Sequence, residues 1–196
     1  MDDPIPNRLA GPTPIPNTLA DRSPAPRRVS LTAGDDREPT RADLEAATPL
    51  FLTLPDGWRP GIRPDAAAGA WAAVSTPDVV AAAYDGRSTT LPLAPNAVLL
   101  DHGALEPGDD MLLDAQEDEL REGMARVAGA LTRVHLPAGD ALRAEFPTMV
   151  GGVRVTLVQY YVLTEEGYFA IWCSCLASGL AASLPDFEAI ARSLLQ

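Results

Sequence analysis

The chain has 196 residues, a hydrophobic content of 46% and a formal net charge of −12. This length and apolar content suit one domain with a substantial core plus an appendage. Residues 1–48 hold six arginines against eight acids, so the remainder holds nine arginines against nineteen acids. A body this acidic repels phosphate backbones, which argues against nucleic-acid binding.

The cellular compartment is predicted from three features. Residues 1–4 are acidic and proline-broken and lack the apolar core of a secretory signal. No apolar run reaches the roughly 18 residues that a membrane span needs. The two cysteines, Cys173 and Cys175, are spaced too closely along a predicted strand to pair with each other. We therefore predict a cytoplasmic protein without disulfides, a prediction that leaves non-classical export open.

Residues 1–48 are rich in proline, polar and charged residues and lack hydrophobic periodicity. They predict a disordered or extended tail before a folded domain at 49–196. Within the tail, residues 4–10 recur at 14–20 with six of seven positions identical. Two proline-stiffened copies favour a duplicated motif that docks to a protein partner or assembly; the alternative is a low-complexity linker. The docking residues are Pro4, Ile5, Pro6, Asn7, Leu9, Pro14, Ile15, Pro16, Asn17 and Leu19.

The first half of the domain predicts short strands and one long helix. A strand is expected at 50–54, a strand or short helix at 70–75 and at 79–84, and a further strand at 96–102. From about 109 to 132, an acidic face and one apolar stripe predict a helix. The stripe consists of Leu113, Leu120, Met124, Val127 and Leu131.

The last third carries the strongest pattern. Residues 139–146 loosely alternate, and 152–163 and 168–176 are rich in β-branched and aromatic residues, which predicts an antiparallel hairpin. Ser183 with Asp186 fits a helix capping box. The helix that follows has one apolar stripe to cover the hairpin, made of Phe187, Ile190, Ala191 and Leu194. The pattern predicts an α+β fold with a mainly antiparallel sheet and helices against its faces.

The order of several short motifs resembles a known family. Residues 54–58 read Leu-Pro-Asp-Gly-Trp, residues 95–98 open a strand, and an acidic helix, a hairpin and the helix from Pro185 follow. This order, over about 50–195, resembles the Mog1/PsbP-like superfamily and especially its actinobacterial LpqN-type domain. The resemblance implies an α/β/α sandwich used as a non-enzymatic binding module, as in adaptors, accessory subunits and secretion chaperones. The LpqN signal peptide and lipidation cysteine have no counterpart near residue 1, so a lipoprotein role is not carried over.

Residues with catalytic or metal-binding chemistry are few. His102 follows Asp101, but no Gly-x-Ser-x-Gly motif marks a nucleophile, so a hydrolase is not predicted. Cys173, Cys175 and His135 have the composition of a zinc site, yet cysteines on a strand are more typical of small buried hydrophobes. The acids in 106–122 lack a calcium loop. We predict no enzyme, no cofactor and no metal.

Partner contacts on the folded body are predicted at Tyr160, Tyr161 and Trp172. Adjacent strand residues face opposite sides of a sheet, so one tyrosine can be core while the other is available to a partner. The main prediction is thus an adaptor, accessory factor or secretion-type chaperone that docks through its tail. The alternative is a carrier of a lipid or small hydrophobic ligand, which requires an apolar cavity beneath the hairpin.

Overall fold

The computed structural model describes residues 39–63, 78–88, 93–105, 111–125 and 129–196. Within these ranges, seven strands form one sheet and three helices pack on it. The strands are β1 (Trp58–Pro60), β2 (Val79–Asp85), β3 (Asn96–Asp101), β4 (Ala130–Leu136), β5 (Gly139–Val150), β6 (Val153–Leu163) and β7 (Tyr168–Leu176). The helices are α1 (Arg41–Phe51), α2 (Leu112–Met124) and α3 (Leu180–Arg192), the last preceded by a 3₁₀ turn at Ala177–Gly179.

The sheet has the strand order β1-β2-β3-β7-β6-β5-β4, and each neighbouring pair is antiparallel. The helices cover both of its faces. The face under α1 and α2 buries Leu44, Leu113, Leu120 and Met124 against the strands. The opposite face is covered by α3, which buries Phe187, Ile190 and Ala191 of the predicted stripe. Leu194, the last residue of that stripe, is buried just after the helix ends. The predicted α+β fold with an antiparallel sheet between helices is confirmed.

The two hairpins of the last third are the long strands of the sheet. Strand β6 pairs with β5 from Val153 to Leu163 and with β7 from Val155 to Leu163. The predicted strands at 152–163 and 168–176 are confirmed almost to the residue. Gly151 and Gly152 close the β5–β6 hairpin with φ of 56° and 80°. Both angles are positive, as in the tight turns that match the twist of a hairpin, and glycine adopts them without steric cost.

The strand predicted at 50–54 is wrong: Leu50 and Phe51 are the last residues of helix α1, and residues 52–54 form neither helix nor strand. Helix α1 begins after Thr40, whose side chain accepts from the backbone N–H of Asp43 while the Asp43 carboxylate accepts from the N–H of Thr40. This capping box starts an amphipathic turn that buries Leu44, Ala47 and Thr48. The packed part of the chain therefore starts ahead of the domain boundary predicted at residue 49. Residues 1–38, with both copies of the predicted motif, lie outside the described residues.

The long helix predicted at 109–132 was also wrong at its end. Helix α2 stops at Met124, and β4 begins at Ala130 and pairs with β5 along its whole length. Leu131 therefore belongs to a strand, while Leu113, Leu120 and Met124 are buried as predicted. Val127, the other member of the predicted stripe, lies outside the described residues. A helix or a strand would each satisfy the backbone hydrogen bonds of this segment. The tertiary pairing of β4 with β5 therefore decides between them and overrides the local helical pattern.

The start of α3 differs from the prediction as well. The helix begins at Leu180 with Gly179 as its N-cap, so Ser183 is not the capping residue. No side chain caps this helix, because the 3₁₀ turn at Ala177–Gly179 leads the chain directly into it. Asp186, predicted as the partner of Ser183, instead bonds to Trp58 and Arg87. The Asp186 carboxylate thus connects α3 to β1, through Trp58, and to the turn after β2, through Arg87.

Candidate functional site

One end of the sheet carries an open pocket of about 420 Å³. The pocket lies between the turn after β2, the start of β3, the end of β7 and the first turns of α3. Its lining combines charged side chains, serine side chains and apolar side chains. The charged residues are Asp85, Arg87 and Asp186, and the apolar ones include Leu93, Pro95 and Leu176. A volume of this size falls within the usual range of ligand pockets.

Arg87 is shared between the two carboxylates of the pocket. Its Nε donates to Oδ1 of Asp85 at 2.8 Å, and its Nη2 donates to Oδ2 of Asp186 at 2.5 Å. The backbone N–H of Arg87 and the hydroxyl of Ser88 also donate to Asp85. Burial alone would raise the pKa of Asp85, but these hydrogen bonds favour the ionised form and hold its pKa below 3.8. The bonds to both carboxylates raise the pKa of Arg87, which stays charged.

Asp186 is also fixed by a buried indole. Nε1 of Trp58 donates to Oδ2 of Asp186 at 2.9 Å, and the Trp58 ring packs edge-on against Phe187 with 6.0 Å between centroids. Both hydrogen bonds to Asp186 in the described part of the chain go to Oδ2. The carboxylate is therefore held in one orientation from the side of β1 and the β2 turn, and its Oδ1 retains acceptor capacity.

The tip of the β5–β6 hairpin lies at the same end of the sheet. The pair between β4 and β5 that lies nearest the hairpin turn is Ala130 with Glu145, and the corresponding pair between β7 and β6 is Leu176 with Val155. The hairpin residues beyond these pairs project past both neighbouring strands. Met149 and Val150 on this tip are 52% and 48% exposed. Leu176, the partner of Val155, also lines the pocket, so the tip and the pocket lie at the same end of neighbouring strands. We refer to the pocket together with residues 149–154 as the sheet-end surface.

The aromatic residues predicted as partner contacts lie mostly in the core. Tyr160 and Tyr161 face opposite sides of the sheet as predicted, but both are buried. Burial raises the pKa of both phenols, and Tyr161 Oη donates to Oε1 of Gln159 at 2.9 Å. Trp172 is half-buried, on the same face as Tyr161. The structure thus does not bring the three to one exposed surface, and their role as partner contacts stays a prediction.

Cys173 and Cys175 are buried side by side under α3, whereas His135 is exposed on the edge strand β4. Nδ1 of His135 lies 2.8 Å from Oδ1 of Asp140, so the imidazole has a partner remote from the thiols. Burial raises the pKa of both cysteines, which leaves them as protonated apolar groups. Over the described ranges, no three His, Cys, Asp or Glu side chains are grouped to hold a metal.

His102 lies at the other end of the sheet from the pocket. Its ring packs on Tyr168 with 5.3 Å between centroids, and burial lowers its pKa despite the nearby charges of Asp78 and Asp101. In the part of the chain that the structure describes, no helix is long and apolar enough to cross a membrane.

Sequence reasoning missed the sheet-end surface for a physical reason. Trp58 and Asp186 are 128 residues apart, and Arg87 and Asp186 are 99 residues apart. No local pattern encodes such pairs. Two local features of the sequence touch the site: the Asp-Gly turn at residue 85, and Asp186, which the sequence places in a helix capping box with Ser183.

The chain was compared with known proteins. No protein-family model and no curated protein matches it. Among solved structures, the chain is similar to LpqN of Mycobacterium tuberculosis, a protein involved in cell envelope biogenesis. The two are 14% identical, the match covers 72% of this chain and 79% of LpqN, and the TM-score is 0.47. The chain is also similar to PA94, a Pseudomonas aeruginosa protein of unknown function, with 12% identity. This match covers 56% of this chain and 78% of PA94, with a TM-score of 0.43.

A third similar structure is that of a Bacteroides thetaiotaomicron protein, with 10% identity. This match covers 73% of this chain and 43% of the other protein, with a TM-score of 0.45. LpqN is thus among the similar structures, as the resemblance drawn from the sequence predicts. All three similarities are weak, and nothing about the function of this chain follows from them.

Proposed function

We propose that this chain is a non-enzymatic binding protein of the Mog1/PsbP-like type, an adaptor, accessory factor or secretion chaperone. It docks to a protein partner through the two motif copies of its N-terminal segment and presents the sheet-end surface as a second contact. The observation that carries this proposal is the position of the exposed hairpin tip beside the pocket. One end of the sheet then offers both an apolar projection and a cleft lined by charged and apolar side chains.

The hairpin tip is suited to burial by a partner. The large apolar side chains that are most exposed in the described ranges are Leu50, Met111, Met149 and Val150, so two of them are neighbours on the tip. Burying a fully exposed side chain of this kind contributes roughly 1.5–3 kcal/mol, and Met149 and Val150, which are about half exposed, would contribute a part of that. The tip is held by pairing along both long strands, so little entropy is lost when it docks.

The duplicated motif supplies the other contact. Each copy carries an isoleucine between prolines and a leucine four residues after it, at Ile5 and Leu9 and at Ile15 and Leu19. Proline restricts the free peptide, which lowers the entropy cost of binding, and tethering raises the effective concentration of the folded body. Weak contacts at the two ends then combine into a stable complex.

The pocket favours an adaptor over the alternative carrier of a hydrophobic ligand. A lipid carrier requires an enclosed apolar cavity beneath the hairpin. The pocket at the sheet end instead has three charged side chains, Asp85, Arg87 and Asp186, and opens to solvent. Its lining of charged and apolar side chains suits a partner segment that carries both polar and apolar groups.

Affinity capture from a host lysate with four full-length baits tests the proposal. The baits are the wild type, a motif variant (Ile5, Leu9, Ile15 and Leu19 to Ala), a tip variant (Met149→Ser with Val150→Thr) and a control, Leu50→Ser. Leu50 is exposed and apolar but lies on α1, away from the tip. We expect one set of proteins to be depleted with both the motif and the tip variants and retained with the control. Recovery of the same proteins with all four baits would contradict the proposal.

A further inference from the structure

Strand β4 lies at the edge of the described sheet. It is the last strand in the order, and among the residues that the structure describes no strand lies beyond it. Its seven residues pair with β5 on one side. The other side, the outer edge of β4, presents backbone N–H and C=O groups with which another extended segment can pair. The opposite edge of the sheet offers less, because β1 has three residues and ends at Pro60.

The turn after β4 determines which of its backbone groups point outward. Leu136 and Gly139 are the closing pair of the β4–β5 hairpin, which has a two-residue turn. The closing residues of such a hairpin bond to each other, so the backbone of Leu136 points to β5, and the direction alternates along the strand. The register is continuous over the whole of β4. The groups on the outer edge therefore belong to Leu131, Arg133 and His135.

The duplicated motif has the sequence pattern of an outermost strand. In the second copy, prolines occupy positions 14 and 16, and Ile15, Asn17 and Leu19 occupy the alternate positions. Neighbouring residues of a strand direct their backbone groups to opposite edges, so an extended copy turns both prolines to one edge. Proline has no N–H to donate and is tolerated on the solvent side of an edge strand. The copy can thus pair fully along one edge only, as the last strand of a sheet does.

The second copy can reach β4 within the same chain. The 18 residues 21–38 connect it to Pro39, where the described part of the chain begins. Helix α1 follows and lies on β2 through the bond of Thr48 to Ala82. In the sheet order β4 is five strands from β2, which corresponds to roughly 24 Å. The connecting residues span up to roughly 60 Å when extended.

Of the two copies, the second is better suited to pair with β4. The first copy has a connection that is ten residues longer, so its effective concentration at β4 is about twofold lower. The two copies differ only at Arg8 and Thr18. Threonine favours strands more than arginine does, and this position lies on the same edge as the prolines.

We propose that residues 14–20 add to the outer edge of β4 as a further antiparallel strand before a partner binds. Leu19 then lies opposite Leu131, whose side chain packs against the core on the α2 face. Asn17 lies opposite Arg133 and brings no charge to it, and each such pair exchanges two backbone hydrogen bonds. The contact goes beyond the proposed function because it concerns the chain alone. A partner that takes the second copy has to displace it from β4, which makes the contact autoinhibitory.

Amide hydrogen exchange of the full-length, ¹⁵N-labelled chain without a partner tests this contact. The outward amides of β4, those of Leu131, Arg133 and His135, are expected to be protected in the wild type. Replacing both Asn7 and Asn17 with proline removes a pairing N–H from each copy. We expect the outward amides to exchange roughly tenfold faster in this variant, because backbone hydrogen bonds to the added strand are lost.

Two controls separate strand pairing from other effects of proline. Arg8→Pro with Thr18→Pro places the same number of prolines on the edge that faces away from β4, so this variant should keep the protection of the wild type. The amides of Thr132 and Val134 point to β5 and should exchange at the same rate in all three chains. Their protection shows that the sheet is intact in each variant.

Equal exchange of the outward amides in the wild type and in the Asn7→Pro, Asn17→Pro variant would overturn the proposal. An equal loss of protection in the Arg8→Pro, Thr18→Pro variant would overturn it as well. Sedimentation at low and high protein concentration identifies the donor of the strand. A monomer with protection independent of concentration supports pairing within the chain, whereas a dimer with protection that rises with concentration would overturn it in favour of a second copy.

The exchange experiment and the capture experiment fail independently. No partner protein enters the exchange experiment, so its failure would leave the proposed docking open. A failed capture experiment would in turn leave the pairing of the second copy with β4 open.

Discussion

The hydroxyl of Thr48 on α1 lies 2.8 Å from the carbonyl oxygen of Ala82 and accepts a hydrogen bond from the N–H of the same residue at 3.1 Å. Strand β1 is short and ends at Pro60, opposite Ala83. The next residue of β2, Ala82, thus lacks a strand partner on that side, and a buried backbone group without a partner costs free energy. Thr48, together with the N–H of Gly61, completes the hydrogen bonding that β1 does not supply.

Replacing Thr48 with valine should therefore destabilise the protein. Valine has the same shape but leaves the Ala82 N–H buried without its acceptor, which costs about 1–3 kcal/mol of unfolding free energy. Urea unfolding followed by circular dichroism measures the change. Thr132→Val, on the exposed edge strand β4, is the control and should stay within about 0.5 kcal/mol of the wild type. Equal stability of Thr48→Val and the wild type would contradict this role of the hydroxyl.

Gly139 should tolerate no side chain. It has φ of 153°, and a Cβ at this position would lie 1.9 Å from the carbonyl oxygen of Leu163 on β6. Gly139→Ala is expected to lose about 2–4 kcal/mol of stability, because the start of β5 must move away from its partner. Gly179, which has open space around its Cβ position, is the control, and Gly179→Ala should change stability by less than about 1 kcal/mol. Similar melting temperatures for both variants would contradict the prediction.

Asp85 should stabilise the protein in a pH-dependent way. Its pKa lies below 3.8 in the folded state, so its contribution is present above that pH and is lost as the pH falls through the folded value. Asp85→Asn should be about 1–2 kcal/mol less stable at neutral pH, a figure reduced for the exposure of Arg87.

The stability difference between wild type and Asp85→Asn should shrink as the pH is lowered below 3.8. Chemical denaturation at several pH values measures it. Asp118→Asn, which removes an exposed carboxylate on α2 outside this hydrogen-bond network, is the control for the loss of a surface charge. A stability gap that stays constant down to the lowest pH would show that the Asp85 charge is not the cause.

The two thiols should be unreactive in the native protein. Cys173 and Cys175 are buried, and burial raises the pKa of both, which suppresses the thiolate that reacts with alkylating reagents. We expect iodoacetamide to label both at least roughly 100-fold more slowly in the native chain than in guanidinium chloride. Ser178→Cys provides an exposed thiol at the pocket as a positive control. Rapid native labelling of Cys175 would show that the pocket wall opens.

The parts of the fold that sequence predicted well are those written in local patterns. The β-branched and aromatic residues of β6 and β7 indicate strands on their own, and the stripe from Phe187 to Leu194 indicates a helix with one buried face. Helix α1 is not predicted, although Thr40 and Asp43 form a capping box, because the proline-rich composition of the preceding residues favours a tail that includes most of this helix. Strand β4 was missed because its exposure on the sheet edge leaves little hydrophobic periodicity.

The candidate site was harder to predict than the fold. Its charged side chains connect β1, the turn after β2 and α3, and these contacts form only when the sheet is assembled. Asp186 near a helix start has an ordinary local explanation as a capping partner, and that explanation was the one the sequence favoured. Its bonds to Trp58 and Arg87 follow only once α3 is packed against the sheet. A single sequence contains no signal for such pairs.

Site-specific photo-crosslinking in the host tests the central claim most directly. Benzoylphenylalanine is placed singly at Met149 on the hairpin tip, at Ile5 in the first motif copy, and at Arg192 as an exposed control on α3. The account predicts that Met149 and Ile5 crosslink to the same protein and that Arg192 does not. Crosslinking of that protein at Arg192 with the same yield, or crosslinks from Ile5 with none from Met149, would contradict a partner held by both the motif and the sheet-end surface.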